Sequence, residues 1–296
     1  MIIKSHTLTH PEVTEHLMVT NFIKIETTGL SFKNDALFQV SVLNCATGKL
    51  LVNTVENLKE EVSLMTIFSE PFCVISAFEK QFILEKLAFY AIPAPLSYDL
   101  QTLYKNFKHI LKLDKVNTAA LFKHLGMKPS AESGYAIAKR IRSVLMTHGD
   151  PLPIIAQGLA AISDGLKLLS CYDTLYRTLA FSIDEADFMP HHITFKGDFL
   201  HITGLTTSPL TLDSFDAGSQ LQLSGGAFTY RREVTAGCYL HGETVRFIQK
   251  EDLSDTSGLQ SPPSLYLLYC DTPLYGNIIQ CLQCDITAHL RQSCHR

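Results

Sequence analysis

The sequence predicts an α/β unit followed by a smaller β-rich region that ends in a helix. Three observations carry this expectation. Strand-like apolar stretches separated by turn residues open the chain. Helical and strand-like patterns then alternate to about residue 182. After about residue 185, short strand-like runs with Gly-rich turns take over. The expected domains are therefore 1–182 and 183–296. A chain of 296 residues suffices for one large domain or two ordinary ones.

Taken in order, Leu17–Ile25 is rich in apolar and β-branched residues and reads as a buried central strand, broken by Gly29. Leu37–Leu43 and Leu50–Val55 read as two more strands, joined by a turn at Thr47-Gly48. In Lys59–Phe68, the residues Val62, Leu64, Met65 and Phe68 fall at helical spacing. A short strand, Phe72–Ser76, precedes a helix over Phe78–Tyr90. Leu96–Leu103 reads as a strand, with a helix from about Tyr104. Asn117 is an N-cap for Ala119–Leu125, closed by Gly126. Ser133 opens a helix to about Met146, and Leu152–Leu179 is helical with interruptions at Gly158 and Gly165. Beyond these, His192–Phe195 and Phe199–Thr203 flank a Gly-Asp hairpin turn. Leu210–Leu212, Leu221–Leu223, Phe228–Val234, Val245–Ile248 and Leu265–Tyr269 read as strands, and Gly276–Leu290 as a terminal helix.

Hydrophobic residues make up 46% and charged residues 18%, enough apolar material for a sizeable core. Net charge is −4, so no global basic field draws the chain onto nucleic acid, and any such binding needs a local patch. The N-terminus lacks a signal peptide's apolar core, and no unbroken run reaches the length of a bilayer span. The expectation is a cytoplasmic protein without a membrane partner, its eight cysteines reduced.

Residues Lys24-Ile25-Glu26-Thr27-Thr28-Gly29 close the first strand. Glu60-Glu61 follow on a helix, then Ala77-Phe78-Glu79-Lys80-Gln81-Phe82-Ile83 at a helix start. Asp99-Leu100 with Tyr104, and Ala160-Ala161-Ile162-Ser163-Asp164 on a later helix, complete the series. In order and content this resembles the ribonuclease-H-like exonucleases of the DEDD class, most closely their YprB-type branch. The resemblance covers about 180 residues. It implies a ribonuclease-H-like mixed sheet flanked by helices, and phosphodiester hydrolysis from a 3′ end by two Mg²⁺ or Mn²⁺ ions.

The resemblance also shows what is missing. Alternate strand residues share a face, so Asp-x-Glu would offer two carboxylates together. Here Lys24 stands at the first of them, Ile83 replaces the second motif's aspartate, and Ala160 the water-orienting residue. Glu26 and Asp164 remain as the remnant acids and candidate metal ligands, with Glu79 and Asp99 as candidate substitutes. An ammonium repels a metal cation, and Lys24 is expected to neutralise Glu26 and Asp164 where metal would otherwise sit. The expected function is a catalytically inactive relative that binds nucleic acid or a partner. A metal-dependent 3′–5′ exonuclease with a rearranged carboxylate site, and a structural scaffold, are the alternatives.

Thr27, Thr28, Arg231 and Arg232 are the candidate nucleic-acid contacts, the arginines standing beside Tyr230 and Phe228. Lys139, Arg140 and Arg142 form a second basic spot. For both spots a solvated face is the competing reading. Cys281 and Cys284, near His289, Cys294 and His295, have a zinc-like spacing but lack a second CxxC, so core cysteines compete. His191-His192 are expected before a strand, exposed or capping.

Overall fold

In the computed structural model the described residues are 2–7, 21–68, 74–76, 80–93, 97–132, 134–216, 218–249 and 252–293. The chain forms two compact units, Met1–Thr174 and Leu175–Arg296. The division thus falls inside a helix, ahead of the expected 182/183 boundary.

The first unit is built on a six-stranded mixed sheet in the order β1-β4-β3-β2-β5-β6. These strands are β1 (Ile2–Thr7), β2 (Asn21–Thr27), β3 (Leu37–Asn44), β4 (Lys49–Thr54), β5 (Val74–Ser76) and β6 (Ser97–Asp99). The meander β2-β3-β4 is antiparallel, as the turn residues predicted, and β1 adds to its edge antiparallel to β4. Gly48 at φ +67 and the Asn44 side chain, which accepts from Thr47 N at 2.9 Å, form the β3–β4 turn. β5 and β6 run parallel to β2. Parallel neighbours require crossover connections, and a helix bridges β5 and β6.

The helices of this unit are α1 (Glu61–Met65, with a 3₁₀ turn at each end), α2 (Lys80–Phe89), α3 (Leu100–Asn106), α4 (Thr118–His124), α5 (Gly134–Thr147) and α6 (Leu152–Leu179). Ile23, Ile25, Val40, Leu64, Ile83, Leu87, Ile137, Ile141 and Ile154 pack as one core between the sheet and α1, α2, α5 and α6. Inside it, Lys86 Nζ lies 3.0 Å from Glu61 Oε1. Tyr90 donates to Glu61 Oε2 and Leu37 N to Oε1, both at 2.6 Å. Glu61 therefore joins α1 to α2 and β3 and has a structural task. Burial and Glu61 together push the Tyr90 hydroxyl up to about 12.

Two helices differ from the sequence expectation. α3 starts at Leu100, not Tyr104, because Asp99 caps it: Thr102 N and Thr102 Oγ1 donate to Asp99 Oδ2 at 3.0 and 3.1 Å. α6 runs unbroken for 28 residues. Gly158 does not interrupt it but lets it close on the sheet, since a Cβ there would collide with the Gln39 side chain and reach 2.9 Å from Ser41 Oγ. α6 is long and apolar enough to cross a membrane by length and composition, contrary to the sequence expectation, yet 61% of its apolar window is buried inside the protein. That is the behaviour of a core helix.

In the second unit, a six-stranded antiparallel sheet has the order β10-β11-β12-β9-β8-β7. Its strands are β7 (Phe181–Ile183), β8 (Ala186–Lys196), β9 (Phe199–Thr206), β10 (Leu212–Asp216), β11 (Ser219–Ser224) and β12 (Ala227–Glu233). A four-stranded sheet, β13 (Thr235–Cys238), β14 (Thr244–Gln249), β15 (Leu265–Cys270) and β16 (Thr272–Pro273), and the helix α7 (Tyr275–Ser293) complete it. Ile278, Cys281, Leu282 and Ile286 on one face of α7 pack against Ile202, Leu221 and Tyr230. Cys281 is fully buried and Cys284 half-buried, so the helical spacing serves the core; Cys294 and His295 lie outside the described residues. His191 is not exposed before a strand. It sits buried within β8 at a bulge, while His192 is exposed.

Candidate functional site

β2 brings Lys24 and Glu26 to one face, two residues apart. Lys24 Nζ approaches Glu26 Oε1 to 4.0 Å and donates to Ile25 O at 3.2 Å. Glu26 is only 7% exposed. Burial raises its carboxyl above the ordinary glutamate range, and the Lys24 ammonium pulls against that rise.

Asp164 projects from the middle of α6. Its Oδ2 accepts from Ser130 N at 2.6 Å and Ala131 N at 2.8 Å, and its Oδ1 takes Lys167 Nζ at 2.9 Å. Burial would raise this acid, but the Ala131 N–H, Lys167 and the Ser130 donors outweigh it, and the carboxyl lies below its usual range. Its neutralising cation is thus Lys167, one helical turn along, and not Lys24. The Asp-x-x-Lys spacing carried that signal in the sequence.

Lys24, Glu26 and Asp164 line one cavity of about 340 Å³ with Phe122, Ala131, Glu132 and Leu168. Lys24 and Glu26 also face a larger groove of about 900 Å³, lined by Thr27, Leu30, Phe82, Glu85, Tyr135, Lys139 and Arg142. Tyr135 stands almost free in solvent at 85% exposure. Three cations and two exposed or half-exposed aromatic rings therefore share this groove with Glu26 and Glu85.

The turn after β2 is braced from within. Thr28 Oγ1 accepts from Ala36 N at 2.8 Å, Ser31 N donates to Asp35 Oδ2 at 2.9 Å, and Thr27 Oγ1 donates to Gly29 O at 2.5 Å. From α5, Arg142 Nε donates to Thr28 O at 2.5 Å and Nη2 to Asp35 Oδ1 at 3.1 Å. A Cβ at Gly29 would strike the Asp35 carboxylate, so any larger residue there must push Asp35 out of this brace. Thr28 is buried and committed to this brace, whereas Thr27 borders the groove.

The other expected residues lie elsewhere. Ile83 belongs to the core and Ala160 is half-buried on α6. Asp99 is buried at the start of α3, where it caps the helix, and lines neither cavity. Glu79 is outside the described residues. In the second unit, Arg232 Nη1 pairs with Asp285 Oδ2 at 2.8 Å, and Tyr230 donates to the same oxygen at 2.5 Å. Arg231 points the other way, its guanidinium 3.5 Å above the Phe199 ring. Tyr230 and Phe228 are core residues.

Two Mg²⁺ or Mn²⁺ ions acting on a phosphodiester need several hard oxygen ligands around a shared position. Among the described residues, three carboxylates line the cavity, Glu26, Glu132 and Asp164. Glu26 has an ammonium at 4.0 Å, Arg140 pairs with Glu132, and three donors from its own chain already occupy Asp164. This donor set does not fit a two-metal centre. Among the described residues no group of three or more His, Cys, Asp or Glu is placed to hold a metal ion.

No family model matches the sequence, and no curated protein matches it. Two solved structures are similar in part. One, described as the apo form of the nuclease, is 17% identical with a TM-score of 0.38, over 58% of this chain and 78% of its own. The other, Brucella melitensis NrnC with bound Mg²⁺, is 16% identical with a TM-score of 0.30, over 57% of this chain and 86% of its own. At these values the likeness to two nuclease structures carries no conclusion about this chain's chemistry.

Proposed function

We propose that the chain is a ribonuclease-H-like relative of the DEDD exonucleases, of the YprB type, that binds single-stranded nucleic acid without hydrolysing it. The sheet supports the fold reading: an antiparallel meander begins at the central strand β2, and two parallel strands extend its other side. One observation carries the functional reading. Where the resemblance calls for a metal-binding aspartate, the Lys24 ammonium stands 4.0 Å from Glu26. An attacking water then has no clamp, while the same charge favours a phosphate. Lys139 and Tyr135 on the groove's α5 wall supply a second cation and a stacking surface. The rearranged exonuclease remains a second reading because Glu26 and Asp164 do share a cavity.

The test is a 3′-labelled single-stranded oligonucleotide incubated with the protein and Mn²⁺. The expected result is a mobility shift with no shortening, weakened about tenfold by the pair Tyr135→Ala and Lys139→Glu. Shortening that Glu26→Gln abolishes would establish the exonuclease instead. An oligonucleotide that neither shifts nor shortens would leave the scaffold reading.

A further inference from the structure

One face of the six-stranded sheet of the second unit is buried; on the other, Phe215, Thr229, Arg231 and Thr203 are exposed, while Leu205 and its β8 neighbour Met189 are covered. Strand register places Phe215, Gln220, Arg231, His201 and Thr194 in a single row across β10, β11, β12, β9 and β8. At the usual strand spacing this row is about 19 Å long. It is not an apolar stripe awaiting cover. Phe215 is 69% exposed at one end. The Arg231 guanidinium sits over Phe199 in the next row, 3.5 Å from the ring centroid, and Lys196 pairs across from Phe199. Phe199, Phe215, Gln220 and Arg231 line a shared depression of about 440 Å³.

Each part of this face has a chemical meaning. A guanidinium stacked on an aromatic ring is fixed in plane, and its N–H edge is left to donate to a phosphate. An exposed Phe ring offers a π-face to any base. Gln220 offers an amide, though its Nε2 is already given to Asp213 Oδ1 at 3.1 Å. His201 is held below its ordinary range by burial and by Arg231 and Lys196, so at neutral pH it contributes a ring and no charge. The acids Asp216 and Glu233 border the depression as well, so an unstructured polyanion finds little net attraction here. Stacking, not charge density, must supply the affinity.

We infer that the exposed part of this face is a second contact surface for single-stranded nucleic acid, with Phe215 stacking a base and Arg231 holding a neighbouring phosphate. It goes beyond the groove beside Lys24 and does not depend on that groove being occupied. Aromatic residues on a sheet face are a general means of stacking bases, and here Phe215 is the exposed ring.

The chain contains no tryptophan, so Phe215→Trp in the full-length protein is a clean optical probe. Titration with oligo(dT) or oligo(rU) should quench its fluorescence, whereas inorganic polyphosphate should not. By anisotropy, Phe215→Ala should weaken binding about tenfold. Arg231→Ala should weaken it too and lower the log–log salt slope by about 0.7, and Arg231→Lys should restore the slope but not the full affinity. Circular dichroism confirms that each variant is folded. Quenching that survives Tyr135→Ala with Lys139→Glu separates this surface from the first groove. No quenching at position 215, quenching equally strong with polyphosphate, or Phe215→Ala and Arg231→Ala both within twofold of wild type would overturn the inference, even if the first groove binds.

Discussion

Glu26 and Asp164 face the same cavity but are shifted in opposite directions, and the two shifts have opposite consequences for stability. Glu26 is raised in the folded protein by burial against the pull of Lys24. Its stabilising contribution is full below its unfolded pKa and is lost as pH rises through the folded one. Asp164 is lowered, because Ala131 N, Lys167 and the Ser130 donors overcome its burial. Its contribution is present above the unfolded pKa and is lost as pH falls through the folded one. Denaturation midpoints measured across the acid range should therefore show Asp164→Asn flattening the acid-side loss, and Glu26→Gln flattening the loss on the rising-pH side. Curves for the two variants that run parallel to wild type would contradict both assignments. The sequence singled out Glu26, Lys24 and Asp164, and the fold brings all three to one cavity. What was not legible is who holds Asp164. Two of its three donors are backbone N–H groups of a loop some thirty residues away in sequence. The arginine pair was misleading for a plainer reason. Adjacent strand residues point to opposite faces, so Arg232 turns inward to Asp285 while Arg231 meets Phe199 on the outside.

Among the elements, the packing of β8 against β9 is the least tolerant of added volume. Gly204 pairs with Pro190 and Phe228, and a Cβ there would strike the Met189 carbonyl and come within 2.6 Å of Phe228 Cε1. Because backbone is in the way, a rotamer change cannot relieve the clash. Gly204→Ala should cost about 2 kcal/mol or more, read as a lower urea midpoint with an unchanged slope. A midpoint equal to wild type would mean that the β8 bulge shifts freely. The strands of the first meander were readable because Leu37, Phe38, Val40, Val42 and Leu43 make β3 largely apolar, and most of it is buried on both faces. The helix at Asn117 was readable from its cap, whose side chain accepts from Ala120 N at 2.8 Å. β1 was not readable. It is an edge strand with mostly exposed side chains, and it pairs with β4 more than forty residues away. β7, β13 and β16 have between two and four residues each, too short for a period to emerge.

For the whole molecule, a net charge of −4 limits how the proposed nucleic-acid binding can work. Binding by phosphate contacts alone needs many cations and weakens steeply with salt. At the two proposed surfaces the cations are accompanied by aromatic rings, in the first unit by Tyr135 and in the second by Phe199. At about 0.15 M salt a single strand should therefore bind at least about tenfold more tightly than a duplex of equal length, since paired bases are not free to stack. Equal affinities in a competition assay would count against aromatic contacts in both units. The brace between Thr28, Asp35 and Arg142 has a further effect on such binding. It ties the exit of β2 to α5, and β2 and α5 form the floor and one wall of the groove. With floor and wall fastened together before any ligand arrives, the aperture has a pre-set width. For the proposed binding, a pre-formed groove lowers the entropic cost of ordering the protein. The Thr28–Gly29 turn thus fastens β2 to α5, a mechanical duty that needs no metal.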